Sequence, residues 1–64
     1  MNTDTKASSA AEALARFENG AEREPYRSAT DMMDDPAGAG LILFYADGSQ
    51  LFIPDDGEAE VWSA

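Results

Sequence analysis

A chain of 64 residues is near the lower limit for a domain that folds alone, because so short a chain buries only about 60% of its unfolded surface. It has no Cys and no His, which excludes disulfides, zinc sites built from thiolate or imidazole ligands, and nucleophiles of either type. Thirteen acidic residues against four basic ones give a formal charge of −9. From Ser28 onward the chain carries eight carboxylates and neither Lys nor Arg. A field of one sign favours association with a cationic surface, and high solubility is the simpler use of the same charge.

The first seven residues are polar and aperiodic, which predicts a disordered tail over residues 1–7 followed by one domain over residues 8–64. This start has no basic segment followed by an apolar one, and the longest apolar run, Leu41 to Ala46, has six residues. We therefore expect neither a signal peptide nor a membrane span, and we expect the protein in the cytosol.

Ser9 and Glu12 have the spacing of a capping box, which predicts a helix over residues 10–19 that ends before Gly20. Glu12 and Arg16 are spaced for an i,i+4 ion pair on this helix. The apolar stripe of the helix consists of Ala10, Ala13, Leu14 and Phe17. Since this stripe has only two large side chains, the helix requires a sheet to pack on.

The segment over residues 21–40 is interrupted by helix-breaking residues, so we expect a connection that contains a short helix. Residues 28–35 have the length of two helical turns, and Ser28 with Asp31 has the spacing of a cap. The Met32-Met33 pair within it either fills the core or forms an exposed hydrophobic contact. The breaking residues are Pro25, Pro36, Gly38 and Gly40.

Two β-rich runs, Leu41 to Tyr45 and Leu51 to Ile53, flank the dipeptide Asp47-Gly48, which predicts a hairpin with a two-residue turn. That turn places Leu43 opposite Phe52. It assigns Ile42, Phe44, Leu51 and Ile53 to one face and Leu41, Leu43, Tyr45 and Phe52 to the other. A further turn at residues 54–57 leads to a last strand over residues 59–63. The predicted fold class is therefore α+β, with a helix packed on a three-stranded antiparallel meander.

Both faces of this hairpin are apolar, whereas one short helix covers only one face. The second face is then covered by residues 21–40, by a second copy of the chain, or by a partner. We accordingly expect a monomer or a weak homodimer.

The residues that remain for chemistry are hydroxyls and carboxylates. A Ser or Thr nucleophile requires an adjacent base, and Lys6 lies in the predicted tail, so we predict a protein that is not an enzyme. The acids fall in two clusters, one over residues 31–35 and one over residues 55–58. Neither cluster has the alternating ligand pattern of an EF-hand, and Asp and Gly are ordinary turn residues. We predict neither a metal nor a cofactor.

The acidic residues are the predicted partner-binding set. In a strand, Glu58 and Glu60 would lie about 7 Å apart on one face, near the spacing of successive phosphates in nucleic acid, so rows of carboxylates can imitate a phosphate backbone. Direct nucleic-acid binding is not expected, because the chain lacks a basic patch. The set comprises Asp31, Asp34, Asp35, Asp47, Asp55, Asp56, Glu58 and Glu60.

The length, the negative charge, the lack of catalytic residues and the helix-plus-hairpin plan resemble those of small phage and mobile-element anti-CRISPR proteins of the DNA-mimic type. The acids of residues 31–60 carry this resemblance. It implies an inhibitor that acts in the bacterial cytosol on the cationic DNA-binding surface of a CRISPR effector, such as a Cascade-type subunit, and keeps target DNA out. The alternative is an antitoxin or regulatory protein that neutralises a basic nucleic-acid-binding partner.

Overall fold

The structure, a computed structural model, describes residues 5–63. It contains α1 (Ala10–Glu18), β1 (Asp31–Asp34), β2 (Gly40–Phe44), β3 (Gln50–Pro54) and β4 (Glu60–Trp62). The strands form one antiparallel sheet in the order β1-β2-β3-β4. The predicted α+β class is confirmed, and the sheet has four strands where three were predicted. Among the described residues, no helix has the length and hydrophobicity needed to cross a membrane.

Helix α1 begins at the predicted residue and ends one residue before the predicted end. The Ser9 hydroxyl accepts the backbone N–H of Glu12 at 3.1 Å, which caps the first turn. The Glu12 carboxylate pairs with Arg16 at 2.9 Å. The helix ends at Glu18, and Gly20 adopts a φ of 103°, the left-handed conformation that stops a helix.

Strand β1 replaces the short helix expected within residues 28–35, so that prediction is wrong. Asp31 lies opposite Phe44 and Asp34 lies opposite Leu41. The Ser28 hydroxyl, which was expected to cap the helix, instead donates to Glu24 at 2.7 Å. An isolated helix of two turns is marginal, whereas the free edge of β2 offers a ladder of hydrogen bonds.

The β2–β3 hairpin closes through a longer turn than predicted. The Gly48 N–H donates to the Tyr45 carbonyl, and the Tyr45 N–H donates to the Ser49 carbonyl, both at 3.0 Å. A two-residue turn of the predicted type requires a positive φ at both Asp47 and Gly48. Gly48 has a φ of 92°, but Asp47 has no positive φ, so the prediction of a two-residue turn is wrong. The extra turn residue shifts the register by one, and Leu43 lies opposite Leu51 rather than Phe52.

A one-residue shift moves every side chain of β3 to the opposite face. One face therefore carries Leu41, Leu43, Tyr45, Leu51 and Ile53, and we call it the covered face. Ala10 and Ala13 of α1 are fully buried against it, but Phe17, predicted in the same stripe, is 48% exposed. The other face, which we call the open face, carries Met33, Ile42, Phe44, Phe52 and Trp62.

The segment over residues 21–29 packs beside α1 on the covered face. The Tyr45 hydroxyl donates to the Pro25 carbonyl at 2.7 Å, and Ala29 packs on the core. Residues 31–34 meanwhile extend the sheet. Residues 21–34 are thus used without covering the open face.

The packed part of the chain begins before the predicted domain boundary at residue 8. Residues 1–4 of the predicted tail lie outside the described residues. Ala7, at the other end of that stretch, is 2% exposed and donates its N–H to the Ser28 hydroxyl at 2.8 Å. The packed part of the chain therefore includes Ala7.

Candidate interaction surface

The eight predicted acids fall at two ends and one edge of the sheet. Asp31 begins β1 and Asp47 lies in the β2–β3 hairpin, so both lie at one end. Glu60 lies in the edge strand β4, opposite Phe52. The five remaining acids lie at the other end, and we call this group the acidic end: Asp34, Asp35, Asp55, Asp56 and Glu58.

Backbone hydrogen bonds hold the acidic end together. The Asp55 N–H donates to the Ala39 carbonyl at 2.8 Å, which joins the β3–β4 turn to the β1–β2 turn. The Asp35 carboxylate accepts the Ala39 N–H at 3.2 Å, and the backbone N–H of Asp35 donates to the Gly40 carbonyl at 2.9 Å. Asp35 is half-buried in this turn, and the other four acids of the group are exposed. Two turns far apart in sequence therefore present one set of carboxylates.

The predicted strand spacing of Glu58 and Glu60 is wrong, because β4 begins at Glu60. Glu58 precedes the strand, and continuing the β3–β4 register places it level with Pro54. The acids of this region form a group around two turns rather than a row along one strand.

Asp47 belongs to the scaffold of the hairpin. Its carboxylate accepts the Ser49 hydroxyl and, at 2.9 Å, the Ser49 N–H. These hydrogen bonds hold the pKa of Asp47 below its usual range, since they favour the ionised carboxylate. Ser49 in turn accepts the Ala10 N–H at 2.8 Å, so this cluster fixes the start of α1 against the hairpin.

The three arginines belong to α1 and to the segment over residues 21–29, which pack on the covered face. Arg16, Arg23 and Arg27 line one pocket together with Glu22 and Glu24. The ion pairs seen in the described part of the chain join Arg16 to Glu12 and to Glu24. Neither pair involves an acid of the acidic end. These two ion pairs thus leave the charges of the acidic end unneutralised, and a group of like charges attracts a cationic surface.

Glu24 is a buried charge with a structural use. It is 2% exposed, accepts the Ser28 N–H at 3.1 Å, and lies 3.5 Å from Arg16. Burial, and then the negative charge of Glu24, raise the pKa of Tyr45 to about 12. This buried cluster joins residues 21–29 to α1 and to the sheet.

Glu18 is an acid that the sequence did not place near the others. It lines a shallow pocket with Phe17 and Glu58, so the last turn of α1 adds a carboxylate beside the acidic end. The position of Glu18 follows from the direction of α1 across the sheet, which no local pattern in the sequence encodes.

An aromatic pair lies on the open face, on the neighbouring strands β3 and β4. The rings of Phe52 and Trp62 are stacked with centroids 5.2 Å apart and planes 13° apart. Trp62 is 40% exposed and Met33 is 43% exposed, whereas Ile42 between the strands is 6% exposed. The prediction that Phe52 shares a face with Leu41, Leu43 and Tyr45 is wrong, because the longer turn shifts the register of β3 by one residue.

Carboxylates border the open face on both edge strands. Asp31 of β1 lies opposite Phe44, and Glu60 of β4 lies opposite Phe52, so both acids belong to this face. Both residues are exposed. The open face is therefore an apolar strip with negative charge at its two sides.

No group of three or more potential ligand side chains is placed to hold a metal ion within residues 5–63. Comparison of the chain with protein-family models, with curated proteins and with solved structures finds no match. What the arrangement offers chemically is long-range attraction by the acidic end and an apolar contact on the open face.

Proposed function

We propose that this protein is a non-enzymatic acidic inhibitor that binds a cationic, nucleic-acid-binding surface of another protein in the bacterial cytosol and keeps nucleic acid from it. The observation that carries the proposal is the acidic end, whose five carboxylates lie at the end of β1 and in two adjoining turns, in a stretch of sequence without Lys or Arg. Like charges gathered at one end of a small domain repel one another and destabilise the compact state, unless a partner neutralises them.

The partner is a protein rather than a nucleic acid, because phosphates would be repelled by the same charge. Surfaces that bind nucleic acid carry dense Lys and Arg, which makes them the natural complement of an acidic group. A CRISPR effector is the specific partner we propose, since it holds nucleic acid in cationic channels. Four exposed acids of the acidic end then compete with phosphates for the same side chains.

The test neutralises acids at two places in matched numbers. The variant Asp55→Asn/Asp56→Asn removes two charges from the acidic end. The control Glu12→Gln/Glu22→Gln removes two charges that lie beside arginines, and it leaves the same net charge. Thermal unfolding of both variants checks that each is folded.

The assay is the ability of each protein to prevent a purified Cascade-type effector from shifting its target DNA in a gel. An exposed ion pair contributes about 0.2–1 kcal/mol, so the loss of two pairs weakens inhibition by about two- to thirtyfold. The control should inhibit nearly as well as the wild type. Equal inhibition by all three proteins, or no inhibition by the wild type, contradicts the proposal for this partner.

A further inference from the structure

The open face is the largest feature of the fold that the acidic end does not explain. It spans all four strands, with Met33 on β1 and Trp62 on β4 as its exposed outer members. Within the described chain, α1 and residues 21–29 both pack on the covered face. An exposed apolar strip with a polar border is typical of a protein–protein contact.

Charge decides which occupant fits this face. Asp31 and Glu60 border it on opposite edges, and the arginines belong to the layer on the covered face. A second copy packed face to face would bring four carboxylates to the borders of one interface, and the strands supply no Lys or Arg to neutralise them. Each copy also carries a formal charge of −9, so self-association is opposed at long range as well. The occupant must instead be positive at its sides and apolar at its centre.

We propose that the open face binds a segment of the cationic partner that presents apolar side chains flanked by arginines. The apolar side chains contact Met33 and Trp62, which are exposed on this face. The arginines pair with Asp31 and Glu60 at the border. This inference rests on the proposed function, and it adds the surface that provides short-range contact after the acidic end has attracted the partner.

Arginine fits this border better than lysine. The planar guanidinium stacks on an exposed aromatic ring and pairs with a carboxylate at the same time, whereas a lysine ammonium is a more strongly hydrated point charge. Trp62 supplies the exposed ring, held parallel to Phe52, and Glu60 lies two residues away on the same face of β4.

The probe is a synthetic amphipathic helical peptide with leucines along one face and arginines on both sides of them. Trp62 is the one tryptophan of the chain, so its emission reports directly on the open face. We expect the emission to shift to shorter wavelength and to saturate on titration. A peptide with serines in place of the leucines, and one with lysines in place of the arginines, should both bind more weakly.

Two neighbouring methionines provide matched variants. Met33 lies on the open face, and Met32 lies on the opposite face of the same edge strand, with 43% and 51% exposure. Each of Met33→Lys and Met32→Lys adds one positive charge. We expect Met33→Lys to weaken peptide binding about tenfold or more, as for an anchor residue in an interface. Met32→Lys should change it about twofold at most.

The outcomes separate the two proposals. If Asp55→Asn/Asp56→Asn weakens inhibition of the effector while Met33→Lys and Met32→Lys change peptide binding equally, this inference is overturned and the proposed function stands. If Met33→Lys weakens peptide binding while Asp55→Asn/Asp56→Asn inhibits the effector as well as the wild type does, the result supports binding at the open face and contradicts the role of the acidic end. Sedimentation that shows a dimer lost in Met33→Lys and kept in Met32→Lys makes a second copy the occupant and overturns the inference.

Discussion

Alanine substitutions at two adjacent positions of β3 test which face of the sheet forms the core. Leu51 is fully buried on the covered face, whereas Phe52 lies on the open face and stacks on Trp62. Removing a fully buried leucine side chain costs about 2–5 kcal/mol, because a cavity remains. Removing Phe52 leaves no closed cavity and loses a stacked contact worth about 0.5–1.5 kcal/mol beyond the area buried.

We therefore expect Leu51→Ala to lower the free energy of unfolding by about 3 kcal/mol and Phe52→Ala by less, although phenylalanine is the larger side chain. Urea unfolding followed by circular dichroism measures both losses. Trp62 emission is not suitable as the probe, because Phe52→Ala changes it by removing the stacked ring. A domain of 64 residues has a total stability of about 3–10 kcal/mol, so at the lower end of this range Leu51→Ala is close to unfolded. Leu51→Val, which removes one methylene at about 0.8 kcal/mol, then supplies a measurable loss.

The comparison can fail in one informative way. Had the hairpin closed with the two-residue turn, Phe52 would lie opposite Leu43 in the core and Leu51 would lie on the outer face. A larger loss of stability for Phe52→Ala than for Leu51→Ala would refute the register, and with it the composition of the open face.

Three further predictions concern single groups. Tyr45 should ionise with a pKa of about 12, seen as a component of the absorbance titration that Tyr45→Phe removes while the Tyr26 signal remains; its contribution to stability is present below pH 10 and is lost as pH rises through 12. Asp47 has a lowered pKa, so its contribution is present above its unfolded pKa and is lost as pH falls through the folded one; Asp47→Asn should therefore show a shallower acid unfolding curve. A Cβ at Gly40 would overlap the Ile53 carbonyl, whereas one at Gly38 meets nothing within 4 Å. Gly40→Ala should thus lower the thermal midpoint more than Gly38→Ala, whose left-handed backbone costs about 1–2 kcal/mol, and equal losses would contradict the pairing of β2 with β3.

The sequence predicts what depends on local patterns. The capping spacing of Ser9 and Glu12 and the stop at Gly20 define α1, because each acts within a few residues. The runs before and after Asp47-Gly48 define β2 and β3 for the same reason. These elements confirm the α+β class.

What the sequence misses depends on contacts between distant segments. The Met32-Met33 region has no strong strand pattern, and it becomes β1 only because the edge of β2 lies beside it. The turn at Asp47 contains one residue more than its dipeptide indicates, because its carboxylate binds Ser49 and thereby the start of α1. That one residue reassigned Phe52 to the other face.

The candidate surface shows the same division. The excess of acids after Ser28 is visible in the composition, but their division between two ends of the sheet is not. Asp55 joins Asp34 through the contact of two turns, and Glu18 approaches Glu58 through the packing of α1. The open face is the least predictable part, since its membership depends on the register of three strand pairs.

The central claim is tested most directly by capturing the partner. Three proteins are each immobilised and exposed to a bacterial lysate: the wild type, Asp55→Asn/Asp56→Asn and the control Glu12→Gln/Glu22→Gln. The retained proteins are eluted with DNA, and the eluted and the remaining proteins are identified by mass spectrometry. The account predicts a basic, nucleic-acid-binding protein that the wild type and the control retain, that DNA displaces, and whose on-rate falls as salt screens charges beyond about 8 Å. Equal retention by the acidic-end variant, or a retained protein that DNA does not displace, would contradict it.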